Sequence, residues 1–260
     1  MSLPIVVSFG TFVVPTYTLL LSLAIIGVGL CVWFQYRHES RLRAPIVNVL
    51  LAMLLGGIIG ARLVHVLLNA PYFVERVTEA LRLDGGGLDW HGALLGGSIA
   101  MRLVVHWYAP RLKVDTRRLL DVMAIGVGVL ALAVWGGCLA SNCAYGKEVT
   151  AAVGYPPFVI VETSDEFGTL APRFNTYGLG AVHAAGLAAV GALCWWRGWT
   201  LYRRLWLVIF MLSMGLFAIG FVRGDYAVIL LGLRADQWLD IGTLGVSLYF
   251  IRRGGMGNTL

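Results

Sequence analysis

The chain has 260 residues, of which 58% are hydrophobic and 13% charged, with a formal net charge of +6. Soluble domains carry about a quarter charged residues, so this shortfall excludes an ordinary cytosolic enzyme, a disordered chain and a fibrous repeat. Long apolar stretches, 33 glycines and 9 tryptophans point to a polytopic helical membrane protein. In such a protein the positive charge belongs to cytoplasmic loops and gives no reason to invoke nucleic acid. The four cysteines (Cys31, Cys138, Cys143, Cys194) lack CxxC spacing, which argues against a zinc ribbon or a secreted disulfide framework.

In chain order, seven apolar segments can be read, at 13–35, 45–69, 88–108, 119–140, 175–196, 204–222 and 236–251. Each approaches the roughly 20 residues that cross about 30 Å of hydrocarbon. They predict an all-α polytopic membrane protein of seven transmembrane helices, a single domain over residues 1–260. Pro15 falls near the start of the first segment, where a helix tolerates proline. Residues 71–83 place Phe73, Val74, Val77 and Leu81 on one helical face and Glu75, Arg76, Glu79 and Arg82 largely on the other. That is the pattern of an amphipathic helix lying in the membrane interface. The loop at 141–174 is too long for an idle connection. It carries a β-like run from Phe158 to Glu162, then Asp165 and Glu166, and reads as a small extracytoplasmic cap between helices four and five.

Charge placement orients the bundle. One alternate set of loops holds twelve of the twenty basic residues: Arg37, Arg41 and Arg43, then Arg111 to Arg118, then Arg197 to Arg204, then Arg252 and Arg253. The opposite set holds six, in longer loops with more acidic residues, and Arg62 and Arg102 lie within spans. The bias places the N-terminus outside and the C-terminus in the cytoplasm. The N-terminal segment has no basic leader region, so it reads as a retained span and not a cleaved signal.

Polar side chains within spans are costly and mark function. They concentrate near the outer ends, at Tyr17, Arg62, His65, Asn69, Asp89, His91, Ser141, Asn142, Asn175, Tyr177, His183, Arg223, Asp236, Gln237 and Asp240. Deeper positions are fewer; Arg102 and His106 can snorkel to the cytoplasmic face, and Asp121 is placed to answer Arg117 or Arg118. Arg62, His65 and Asn69 share one helical face, expected to line a cavity. The triple glycine Gly85–Gly87 reads as a loop that bends sharply or approaches a ligand. A cationic, histidine-containing pocket at the outer leaflet suits an anionic lipid head group: arginine grips phosphate, and His91 can serve as general base.

The run LRLDGGGLDWHGALLGG from Leu81 to Gly97 resembles the signature of the prolipoprotein diacylglyceryl transferases, integral membrane enzymes of bacteria. Supporting pieces follow in the family's order: Gly60-Ala-Arg62 with Asn69, Asp121, Cys143-Ala-Tyr-Gly146, Phe221-Val-Arg-Gly-Asp225 and Gln237-Trp-Leu. The resemblance implies seven spans in the bacterial plasma membrane, with the active side extracytoplasmic and no cofactor or metal. It implies that phosphatidylglycerol enters from the outer leaflet and gives its diacylglyceryl group to the lipobox cysteine of a prolipoprotein, releasing glycerol phosphate. The partners implied are therefore phosphatidylglycerol, the prolipoprotein signal-peptide region and membrane lipids. Carried over by position, His91 matches the proton-abstracting histidine and Tyr17 a tyrosine early in span one. Arg62 and Arg223 match arginines lining the site, Gly146 closes the span-four signature, and Gly86, Gly87, Asn142 and Gln237 are expected at the lipid.

Departures from the pattern are specific. The family's span-four arginine is Trp135 here and the asparagine after it is Cys138; a second arginine and a glutamate in span six are Leu216 and Gly220; and a His-Pro-like entry to span five is Arg173-Phe-Asn-Thr. An alternative therefore stands beside the transferase: a catalytically altered member that binds lipid or a protein partner. A retinal-type photoreceptor needs a lysine in a span, and Lys113 and Lys147 lie in loops. No Gly-x-Ser-Gly run supports an intramembrane protease, and haem ligation by His65, His91 or His183 has no supporting pattern. Cys138 and Cys143, five apart at a helix end, leave both a disulfide and free thiols open.

Overall fold

The computed structural model describes residues 6–9, 12–83, 86–108, 116–150 and 154–253. Expectations placed on Gly85, Arg111, Lys113 and the Arg117 side chain lie outside the described residues. Eight α-helices occur among them: α1 (Thr16–Tyr36), α2 (Arg43–Leu68), α3 (Ala70–Glu75), α4 (Trp90–Tyr108), α5 (Thr116–Ser141), α6 (Thr176–Arg197), α7 (Arg204–Gly220) and α8 (Ala235–Arg253). Four are long and apolar enough to cross a membrane: α1, α2, α5 from Arg118, and α6; α7 is apolar but shorter.

The chain is mostly helical, as expected, and among the described residues three antiparallel two-stranded ribbons accompany the helices. They are β1 (Val6–Phe9) with β2 (Phe12–Pro15), β3 (Ile160–Ser164) with β4 (Leu170–Phe174), and β5 (Ile229–Leu230) with β6 (Leu233–Arg234). The first ribbon shortens the first predicted segment. Val14 pairs with Val7 and Val13 with Ser8, and Pro15 closes the strand opposite Val6. β-branched residues suit a pleated strand, so the helix starts only at Thr16. The β-like run placed at Phe158–Glu162 becomes β3, two residues later, and its register sets Val161 opposite Arg173. The stretch 71–83 is not one helix: α3 ends at Glu75, Arg76 leaves the helical conformation (φ -136°, ψ 53°), and Val77–Leu81 form a 3-10 turn.

The chain divides into two compact units: Met1–Val28 with Leu120–Tyr226 and Asp240–Leu260, and Gly29–Leu119 with Ala227–Leu239. In the second unit α2 packs on α4 through glycines. A Cβ on Gly60 would fall 2.3 Å from the Gly92 carbonyl oxygen, and one on Gly92 would fall 2.2 Å from that of Gly60. Gly56 and Gly96 repeat this one turn away. Only glycine lets two backbones approach so closely, the small-xxx-small device of membrane helices.

In the first unit, Asp121 near the start of α5 organises the turn between α6 and α7. Its buried carboxylate accepts the backbone N–H groups of Tyr202 (2.6 Å) and Arg204 (3.2 Å) and lies 3.9 Å from the buried Arg204 guanidinium. It thereby satisfies donors that the first turn of α7 would otherwise leave open. At its other end the same unit begins α6 on a side-chain cap, Asn175 Oδ1 accepting the Gly178 N–H at 2.9 Å, and ends it on Gly198 in the left-handed region, φ 68°.

Replacing Gly60 by leucine should separate α2 from α4 and cost about 1–3 kcal/mol or more, the range for overpacking. Gly27→Ala, where an added Cβ meets nothing within 4 Å, should be neutral or slightly stabilising. Thermal unfolding of both variants in one detergent checks the contrast; equal stabilities would contradict the seam.

Candidate functional site

The second unit carries His91. Asp89 precedes α4 and acts as its N-cap: Oδ1 accepts the backbone N–H of His91 at 2.9 Å and of Gly92 at 3.1 Å. The Asp89 N–H in turn donates to the Ala61 carbonyl of α2 at 3.1 Å. His91, the second residue of α4, is buried, and its Nδ1 lies 3.2 Å from Asp89 Oδ1 and 3.4 Å from Oδ2. The Trp90 ring lies against the imidazole, centroids 4.0 Å apart. Asp89 thus satisfies open helix N–H groups and orients the ring with one carboxylate.

Two residues along α2 from Gly60, Arg62 grips the segment that leads into α4. Nε donates to the Ala80 carbonyl (2.9 Å), Nη2 to that of Glu79 (2.6 Å), and Nη1 to those of Gly86 (2.7 Å) and Gly87 (3.1 Å). The guanidinium also sits 5.3 Å from the centroid of the Phe73 ring. Arg62, Gly86 and Gly87, singled out separately in the sequence, are therefore brought together, with the arginine donating to backbone. Gly87 has φ 75°, and a Cβ there would lie 2.4 Å from His65 Nε2 and 2.8 Å from Arg62 Nη1. Both the left-handed backbone and the close approach require glycine at this point. His65 stacks edge-on against Phe73, and Asn69 lies one turn on, its amide bonded to the His65 carbonyl. The polar face of α2 thus holds this connection. Gln237 is buried at the start of α8, where its Oε1 accepts the Arg234 N–H at 2.9 Å.

The first unit holds the other predicted residues. Gly146 and Arg223 form an antiparallel bridge; Lys147 N–H donates to the Val222 carbonyl (2.8 Å), and Phe174 N–H to that of Lys147 (3.1 Å). Residues 145–148 are thus held between the segment after α7 and strand β4. Arg223 Nε donates to Asp225 Oδ1 at 2.8 Å. Asn142 has φ 56° in a turn closed by a disulfide between Cys138 and Cys143, which settles the pairing the sequence left open. Cys31 and Cys194 are free.

Trp135 and Leu216, the two positions where the resemblance places arginines, meet in one apolar cluster. Trp135, Cys138, Tyr145, Tyr177, Ala184 and Ile219 are its buried members, and Tyr17 and Leu216 pack on it. The Trp135 indole lies on Gly180, where a Cβ would be 2.0 Å from Cε2. Beside the cluster, buried Arg173 donates to Asp165 Oδ2 at 3.0 Å and lies 5.3 Å from the centroid of the Tyr145 ring. Tyr145 O–H donates to Glu166 Oε1, and burial together with the neighbouring carboxylates pushes this phenol up to about 12.

Sequence reasoning missed Asp89 as the partner of His91, although an aspartate just before a predicted helix start is an N-cap signal. It also missed the Arg173–Asp165 pair, which no local pattern announces. Among the described residues no three His, Cys, Asp or Glu side chains converge as a metal site.

Helices able to cross a membrane and a carboxylate-held histidine at a helix start define a multi-pass membrane protein with a candidate acid–base centre. The sequence profile described as prolipoprotein diacylglyceryl transferase matches residues 4–252, and the chain belongs to that family. A Streptococcus pneumoniae protein (strain Hungary19A-6) named phosphatidylglycerol–prolipoprotein diacylglyceryl transferase is 27% identical over 255 residues, 95% of this chain and 92% of the relative. A Thermoanaerobacter protein (strain X514) of the same name is 29% identical over 140 residues, 52% of this chain and 53% of the relative. Against that relative the chain spans about half the length. A Caldanaerobacter subterraneus protein, again so named, is 34% identical over 101 residues, 37% of this chain and 38% of the relative.

Two predictions concern the cysteines and Asp165. Alkylation of the denatured, unreduced protein should label two thiols, and prior reduction should raise that to four; intact mass decides. The backbone N–H groups of Thr169 and Phe167 and the nearby Arg173 hold the Asp165 carboxyl below its usual range. A carboxyl depressed in the folded state stabilises it above the unfolded value, about pH 4, and the contribution is lost as pH falls further. Hydrogen exchange over 165–173, corrected for intrinsic rate, should therefore accelerate below about pH 4. In Asp165→Ala it should be fast throughout, with no acid step.

Proposed function

We propose that this chain transfers the diacylglyceryl group of phosphatidylglycerol to the lipobox cysteine of bacterial prolipoproteins at the extracytoplasmic side of the plasma membrane. The observation that carries the reading is the family match over residues 4–252 together with a buried His91 whose ring is oriented by a carboxylate. In the reaction the cysteine thiol loses its proton to His91, because the thiolate is the nucleophile. The sulfur attacks the glyceryl carbon that bears the phosphate ester. The S–C thioether bond forms as the C–O bond to phosphate breaks, and glycerol phosphate leaves with the electron pair. Charge growing on that phosphate calls for cationic groups.

The roles of the other residues follow the resemblance. Arg223 faces phosphate, with Asp225 fixing its fork. The resemblance gives Tyr17 a catalytic role, and Asn142, Gly146 and Gln237 a role in lipid binding. Arg62 acts through the Gly86 and Gly87 carbonyls, which it holds in place. Seven crossings with the N-terminus outside fit the loop charge bias of twelve basic residues against six, and α4, α7 and α8 supply the crossings beyond the four longest apolar helices. The residues 71–83 then lie at the outer interface and 141–174 form the extracytoplasmic cap.

A second reading has one specific support. The positions of Trp135 and Leu216 are filled by a packed apolar cluster, which favours a lipid-binding or partner-binding member without turnover. The two readings part in one assay. Purified protein in phosphatidylglycerol nanodiscs with a lipobox peptide should yield the thioether product by mass, and His91→Ala should lower the rate by about 10²–10⁴, the usual share of acid–base catalysis. Absence of product from the unmodified chain would leave the binding reading.

A further inference from the structure

Asp89 makes two kinds of contact that ordinarily belong to different residues. Its Oδ1 accepts the N–H groups of His91 and Gly92, as any N-cap does. The same carboxylate faces the Nδ1 of the His91 ring, at 3.2 Å from Oδ1 and 3.4 Å from Oδ2. A carboxylate only accepts hydrogen bonds, so an attractive contact requires the proton on Nδ1. The neutral ring then carries its lone pair on Nε2. Both groups are nearly withdrawn from solvent, with side-chain exposures of 7% for His91 and 11% for Asp89, so water does not compete freely for the carboxylate. The arrangement is also held from behind, since the Asp89 N–H is anchored to the Ala61 carbonyl of α2 and the Trp90 ring lies against the imidazole.

We infer that Asp89 is a positioning residue that sets the tautomer of His91, keeping the proton on Nδ1 and presenting Nε2 as the basic atom. The kinetic consequence rests on the transferase reading above; the tautomer itself does not. A carboxylate that fixes an imidazole in this way raises turnover through ring orientation and stabilisation of the imidazolium formed when the thiol proton arrives. It contributes little to substrate binding. A plain N-cap would instead affect folding and leave turnover unchanged.

Two substitutions separate these roles. Asn and Ser cap helices about as well as Asp, so Asp89→Asn and Asp89→Ser should fold with near wild-type thermal stability. Neither offers a carboxylate to Nδ1, and the Asn amide turns a donor toward it. Nitrogen-15 spectra of histidine-labelled protein, with the His91 signals assigned by their loss in His91→Gln, should show protonated Nδ1 in the unmodified chain. In Asp89→Asn the proton should move to Nε2. In the nanodisc assay Asp89→Asn should lower kcat by about 10²–10⁴ with KM little changed, the pattern of a wrong-tautomer histidine, and Asp89→Ser should lower it less. Protonated Nε2 in the unmodified chain, or an Asp89→Asn protein with wild-type kcat and spectrum, would overturn the inference. If the unmodified chain gives no thioether product, the transferase reading fails, and the nitrogen spectra alone still decide what Asp89 does.

Discussion

Where α2 meets α4 no side chain separates the backbones. Gly60 and Gly92 each place a carbonyl where the other's Cβ would be, and Gly56 and Gly96 do the same a turn away. In a lipid environment, helix association has little hydrophobic drive and depends on such close van der Waals contact. The consequence for the candidate site is positional. Once this seam closes, the Asp89 N–H reaches the Ala61 carbonyl and the start of α4 is fixed beside the polar end of α2. His91, next to Gly92, inherits that placement. Any side chain in the seam would displace the imidazole along with the helix.

The polar face of α2 shows a charged side chain spent on backbone carbonyls. Arg62 distributes its donors over four carbonyls, and Gly87 is the residue small enough to lie against it and His65. Carbonyls in a connection near a membrane lack partners and would be costly to bury. A single guanidinium supplies donors for several at once, with the planar geometry to reach them. Such a clamp ties the Glu79, Ala80, Gly86 and Gly87 carbonyls to α2. In the first unit, residues 145–148 are fastened on both edges by backbone pairing, and the Cys138–Cys143 bond closes the preceding turn. The cluster around Trp135 includes Cys138 and Tyr145, and Cys143 packs against it, so the same few residues serve both the turn and the apolar packing.

Several features could be read directly from the residues. The long apolar runs located seven of the described helices to within about three residues at their starts, four of them long and apolar enough to cross a membrane. His91 and the glycines around it stood out by type and spacing. Other features carried no local mark. An arginine at a helix end has the same appearance whether it faces phosphate or backbone carbonyls, so the bonds of Arg62 were invisible. The pairing of Arg173 with Asp165 depends on the β3–β4 register, and the strands themselves are too short to give a firm periodic signal. Helical periodicity over 71–83 was genuine but did not survive at Arg76, whose non-helical backbone breaks the segment.

By itself, then, the order of amino acids determined the membrane character, the helix positions and the type of residue available for acid–base work, since these follow from local hydropathy and side-chain chemistry. Which groups meet was decided only in three dimensions. The Asp89–His91 contact, the Arg62 clamp, the cysteine bond and the packing of Leu216 on the Trp135 cluster each depend on where backbones come to rest, and that is set by packing between segments far apart in the chain, a quantity no short window of sequence contains.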